Sequence, residues 1–148
     1  ERLGPWIFNF HKAEGAVAYS LIVLHPFLFV LFNFKIKGVF DPFSVYTDLC
    51  VLCSNRLEFF YTFGRIAFWL TTIAVLAAIL RTQPWLRVHW RKFHILNYVV
   101  FLLVAFHSWN LGSDTHSTPF VWFFWVALLG VTAFIFYRIY KKLFQPLL

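Results

Sequence analysis

The chain contains no methionine, only two cysteines and only six acidic residues among its 148, and charged residues make up just 13% of it. A soluble domain of this size carries about a quarter charged residues, so an all-round aqueous surface is excluded. Two cysteines are too few for a four-thiolate zinc site or a disulfide framework. Glycine is sparse, six in all, and no glycine-rich run that would cradle a nucleotide phosphate is present. Neither an H-E-x-x-H pair nor a nucleophile triad can be picked out, which leaves aqueous hydrolytic chemistry without support. The missing methionine suggests a chain that begins downstream of its start codon.

What fills the sequence instead is apolar: 61% hydrophobic and 23% aromatic residues, with a mean hydropathy of +0.71. This is the composition of an integral membrane protein. At about twenty residues per bilayer crossing, the length allows four helices with short loops and no second, soluble domain. The expected fold is therefore an all-α, four-helix membrane bundle forming a single transmembrane domain over residues 1–148. The net charge of +7 does not imply a nucleic-acid partner, because the basic residues cluster at the ends of apolar segments, where lysine and arginine set orientation.

The apolar runs predict spans over about 5–34, 61–80, 93–111 and 120–140. Pro5 suits a first helical turn, and Pro26 should kink the first span. Residues 35–60 read as a polar loop, RTQPWLRVHWRK as a short link, and GSDTHSTP as a turn-rich linker opening the last span. Four spans put both termini on one side. That side carries nine basic residues (Arg2, Lys12, Arg81, Arg87, Arg91, Lys92, Arg138, Lys141 and Lys142) against Lys35, Lys37, Arg56 and Arg65 on the other. The positive-inside rule makes the termini cytoplasmic, the expected location being the cell membrane. The first and third spans then run in the same direction.

Those two spans carry the residues least at home in lipid. His11 and His25 are fourteen residues apart, and His94 and His107 thirteen apart, which at 1.5 Å per residue is about 21 and 19.5 Å. Ionisable side chains inside a span are costly and are usually there for function. In parallel neighbouring helices the pairs would meet at two depths, His11 with His94 near the cytoplasm and His25 with His107 near the outside. Two neutral imidazoles saturate a haem iron and leave no open site for oxygen, an arrangement suited to electron transfer. For any one histidine, a backbone-bonded side chain is the alternative. The thirteen-residue spacing also leaves His94 and His107 about 140° apart on an ideal helix, so the third span needs a tilt, twist or local irregularity. His89 shares a face with His107 but at a mismatched depth, and stands in reserve.

The segments HKAEGAVAYSLIVLHP and WRKFHILNYVVFLLVAFH resemble, in order, the two haem-binding helices of the ferric reductase-like transmembrane domain. That family includes ferric reductases, NADPH oxidases and the haem subunit of a bacterial methionine sulfoxide reductase system. The resemblance covers nearly the whole chain. It implies that His11, His25, His94 and His107 are axial ligands of two stacked b-type haems. It also implies a six-span domain whose first two spans are missing here, and a cytoplasmic flavin domain or flavin reductase partner using FAD or FMN and NAD(P)H.

Haem propionates are anionic and take cationic partners. Lys12, Arg91 and Lys92 are placed for the inner haem, although anchoring at the interface explains each equally well. Arg65, one turn into the second span, should have a partner, and an outer propionate or an acceptor site is the expectation. His116 and Asp114 in the last loop are candidates for binding ferric ion or orienting oxygen. Phe101, midway between His94 and His107, is a candidate for the space between two haems, with core packing as the default. Cys50 and Cys53 form a C-x-x-C whose outward location favours a disulfide. It would close a tiny loop and add little stability, and a redox role is the weaker reading without a thioredoxin-like pattern beside it.

The sequence thus predicts transmembrane electron transfer from a cytoplasmic donor to an outer acceptor, ferric iron or oxygen. The rivals are a quinone-linked cytochrome b subunit of a respiratory complex and a haem-free membrane scaffold or transporter.

Overall fold

The computed structural model describes residues 4–144, apart from the side chain of residue 143. Arg2, counted above among the basic residues of the cytoplasmic side, and the outermost terminal residues therefore lie outside the described residues. Among those described, every regular element is helical. The chain divides into two compact units, Glu1–Leu49 and Cys50–Leu148.

The first unit is built on helix α1, Pro5–Lys37. Pro5 opens it, its fixed φ already helical and its missing N–H one that the first turn leaves unbonded in any case. Gly38 closes it at φ 70° and donates its N–H to the Phe34 carbonyl at 2.9 Å, a left-handed position that a side chain resists. At 1.5 Å per residue α1 is about 50 Å long, more than the hydrocarbon core requires. Pro26 cannot give an N–H to the carbonyl of Ile22. One residue further on, the Tyr46 hydroxyl from the single-turn helix α2 (Ser44–Thr47) reaches the Val23 carbonyl at 3.5 Å. Asp41 holds the start of α2, its carboxylate accepting the Phe43 and Ser44 N–H groups at 3.1 Å each.

The second unit contains α3 (Arg56–Ile79), α4 (Pro84–Leu111), a 3₁₀ turn at Asp114–His116, and α5 (Phe120–Phe144). Helices α3 and α4 are joined by a tight turn, with Leu80 N–H donating to Leu76 O at 2.9 Å and Gln83 N–H to Leu80 O at 3.0 Å. They form the main helix pair of this unit. The buried residues of α3 are mostly small: Thr62, Ala67, Thr71, Ala74 and Ala77, with Arg65 among them. In lipid the hydrophobic effect does not draw helices together, and close van der Waals approach over small side chains does. The Thr71 and Thr72 hydroxyls donate back to the Ala67 and Phe68 carbonyls at 2.7 and 2.8 Å, so neither leaves a bare polar group in the interface. Helix α5 packs on the end of α4 and the 3₁₀ turn, where the Trp109 ring stacks on Phe124 at 5.0 Å.

Among the described residues, four helices are long and apolar enough to cross a membrane: Pro5–Lys37, Arg56–Ile79, Pro84–Leu111 and Phe120–Lys142. Large apolar side chains cover much of their outer surfaces; Trp122 and Phe123 are 70% and 75% exposed, which suits a lipid bilayer and would be costly in water.

The element ends differ from the sequence reading. Helix α3 starts at Arg56 rather than near Tyr61, because the Asn55 side chain caps it by accepting the Leu57 N–H at 3.0 Å. Helix α4 starts at Pro84 rather than near Phe93. What read as a polar link is mostly helix: Pro84 supplies the N-terminal signal, and the basic residues after it extend the helix beyond its apolar stretch. Helices α1 and α5 also run on by about a turn, to Lys37 and Phe144.

Candidate functional site

The four histidines fall on two long helices, two on α1 and two on α4. On α1, His11 and His25 are both exposed and lie on nearly the same face, since fourteen residues almost complete four turns. Lys12, beside His11, holds its ammonium over the Phe8 ring at 4.9 Å.

On α4 the two histidines have different surroundings. His94 is exposed, with the Trp90 ring 6.0 Å away and the Asn97 amide 3.5 Å from its Nδ1. His107 is half-buried against α3, where its Nδ1 lies 3.1 Å from the Phe60 carbonyl. No break or bulge occurs in α4 between the two, so of the tilt, twist or local irregularity that their spacing calls for, the irregularity is absent. The reserve candidate His89 bonds its Nδ1 to the Trp85 carbonyl one turn back, at 2.9 Å, and stacks on the Trp85 ring at 4.9 Å.

The surroundings of His107 come from α3. A carbonyl only accepts, so the Phe60 contact places the proton of a neutral imidazole on Nδ1 and leaves the lone pair on Nε2. The ring can approach because Gly64 has no side chain: a Cβ there would lie 2.7 Å from His107 Cε1. Tyr61 stands next to both His107, ring centroids 6.5 Å apart, and the Arg65 guanidinium, 6.0 Å from the Tyr61 ring.

Arg65 is only 9% exposed and makes an ion pair with Glu58 Oε2 at 3.1 Å. The partner that the sequence demanded is thus a carboxylate two turns back on the same helix. A span beginning near Tyr61 places Glu58 in a loop, so the sequence alone does not pair it with Arg65; α3 begins at Arg56 and includes it.

The remaining candidates are spread out. Arg91 and Lys92 are exposed on the early turns of α4, with Arg91 over the Trp90 ring at 5.8 Å. Phe101 faces α5, where with Val104, Ala105, Phe120 and Phe124 it lines a cleft of about 270 Å³ whose polar end is Ser108, Asp114 and Thr115. His116 donates from Nε2 to the Trp109 carbonyl at 2.8 Å and packs on the Trp109 ring at 4.3 Å, while the Asp114 carboxylate accepts from the Ser113 hydroxyl at 3.2 Å. Among the described residues no group of three or more His, Cys, Asp or Glu side chains is gathered as a metal site. Cys50 and Cys53 are joined by a disulfide. Thr62, Gly64 and Phe60 are site-shaping residues that sequence reasoning did not single out. No family model, no curated protein and no solved structure matches this chain.

Proposed function

We propose that this chain is the membrane part of an oxidoreductase, carrying electrons across a bilayer through two b-type haems. His11 and His94 would hold the inner haem, and His25 and His107 the outer. The observation that supports this best is the hydrogen bond from His107 to the Phe60 carbonyl. Haem-ligating histidines hold the proton on one nitrogen through a backbone or carboxylate acceptor, which fixes ring orientation and raises the basicity of the other. His107 has that arrangement, with Nε2 carrying the lone pair.

When bound, a bis-histidine haem supplies reversible one-electron chemistry without an open site for oxygen. The chain's own groups supply the setting. His11 and His25 lie about 21 Å apart along one face of α1, a spacing suited to two groups at different depths. Lys12, Arg91 and Lys92 offer cations for the propionates of the inner haem. Arg65, beside the Tyr61 ring that also borders His107, offers donors beyond the one given to Glu58, since a guanidinium has five, and would place positive charge toward the outer haem. The apolar walls of the helices keep the dielectric low and so tune potential. In this reading the electron donor is a reduced flavin on a cytoplasmic domain or partner using NAD(P)H, and the outer acceptor is ferric iron or oxygen, reached by outer-sphere transfer.

The test is spectroscopic. Reduced-minus-oxidised spectra of the purified protein should show b-type bands in two potentiometric components. A preparation that remains colourless after expression with ample haem would refute the reading.

A further inference from the structure

We infer that Cys50 and Cys53 form a redox-active dithiol–disulfide couple that exchanges with a dithiol protein docking at the loop tip. This needs no haem and stands apart from the electron-transfer reading. Three observations carry it.

First, the loop is fixed to α3 independently of its disulfide. The Cys50 N–H donates to Thr62 Oγ1 at 2.8 Å, and the Thr62 hydroxyl lies 3.0 Å from the Glu58 carbonyl and 3.4 Å from that of Cys50. Cys53 is two residues ahead of Asn55, the N-cap of α3. With Cys50 bonded to Thr62 and Cys53 only two residues from the helix cap, a bond closing so short a loop is hardly needed as a staple. Second, the two residues between the cysteines are apolar and project outward: Val51 is 62% and Leu52 100% exposed. A fully exposed leucine at a C-x-x-C tip suits a partner that covers it with an apolar face. Third, the two sulfurs are inequivalent. Cys53 precedes the positive end of the α3 dipole, whose first turn carries both Arg56 and Glu58; the glutamate is already paired with Arg65, and the dipole favours a thiolate at Cys53.

The exchange balances as follows. A thiolate of the partner attacks Sγ of Cys50, the Cys50–Cys53 bond breaks, and Cys53 leaves as the more stable thiolate and takes up a proton. The partner's second thiol then attacks the mixed disulfide and releases Cys50 as a thiol. Two electrons and two protons have passed to the pair, and the partner is left as a disulfide.

The test uses the full chain in detergent micelles, equilibrated without denaturant against graded ratios of reduced and oxidised dithiothreitol. Free thiols are trapped in acid and tagged with a maleimide polymer that shifts the band on a gel. Both thiols should appear together and vanish again on reoxidation. The Thr62→Val variant should shift the equilibrium about fivefold toward the dithiol, about the worth of one hydrogen bond, with Thr62→Ser restoring it. In single variants, Cys53 left alone (Cys50→Ser) should be alkylated about tenfold faster at neutral pH than Cys50 left alone (Cys53→Ser). A disulfide that resists excess dithiothreitol until the protein unfolds would overturn the inference, as would two thiols that never oxidise with glutathione disulfide, or equal alkylation rates in the two single variants.

Discussion

Gly64 on α3 faces the imidazole of His107 on α4 so closely that a Cβ at residue 64 would stand 2.7 Å from Cε1 and 2.8 Å from Nδ1. No carbon fits at that distance, so in Gly64→Ala the ring must move away from Phe60 and give up its hydrogen bond. The expected cost is about 1–3 kcal/mol of helix-pair stability, the range for overpacking a close contact, measured by thermal unfolding in detergent. If His107 ligates a haem, the same variant should also shift the electron paramagnetic resonance of one haem and leave the other alone. An unchanged melting temperature would mean that the two helices are not packed this closely.

The ion pair of Arg65 and Glu58 is lopsided: the arginine is 9% exposed and the carboxylate 41%. Removing the carboxylate strands a charge that is mostly out of water, whereas removing both charges strands none. Glu58→Gln should therefore lower stability by about 1–2 kcal/mol, less than for a fully buried pair because water screens the glutamate. Adding Arg65→Met to it should recover most of that loss. A double variant less stable than Glu58→Gln would show that Arg65 has a further role that glutamate does not share.

The long helices are legible in the sequence because each is a long apolar run, and a bilayer leaves few alternatives to helix for such a run. Their ends are less so, because capping depends on single residues such as Asn55 and Pro84 whose effect is local and easily outweighed by a polar stretch nearby. Glu58 was within reach: it lies seven residues before Arg65, two helical turns, and would have been found had the span been started earlier. Gly64 was not, since its contact with His107 joins residues far apart in sequence and leaves no periodic trace. The histidines could be singled out from lipid physics alone, but the carbonyl that fixes the proton on His107 could not, because a backbone acceptor is the same at every position in the chain.

Asp41 gives a pH test. The Ser44 N–H, with that of Phe43, holds its carboxyl below the ordinary carboxylate range. A depressed value means that the anion stabilises the turn above the unfolded carboxylate pKa, and that this support is lost as pH falls through the lowered value. Hydrogen exchange at the Phe43 and Ser44 amides should therefore lose protection as pH falls below the ordinary carboxylate range, after correction for intrinsic rates. Asp41→Asn keeps an acceptor oxygen and removes the titration, so its protection should be flat over the same window. Protection that is flat in the native chain would mean the carboxylate does not hold these amides.

The pairing of histidines across helices makes the strictest demand on the proposed function, because it fixes how variants combine. Two ligands of one haem act as a unit, so losing the second adds little once the first is gone. If His25 and His107 share the outer haem, His25→Ala and His107→Ala should each halve the haem-to-protein ratio, read from the pyridine haemochrome spectrum. The double variant His25→Ala/His107→Ala should hold as much haem as either single one. Combining His11→Ala with His107→Ala removes one ligand from each haem and should leave almost none. If instead His25→Ala/His107→Ala loses all its haem while His11→Ala/His107→Ala keeps half, then His107 partners His11, and the depth-matched assignment of the two haems is wrong.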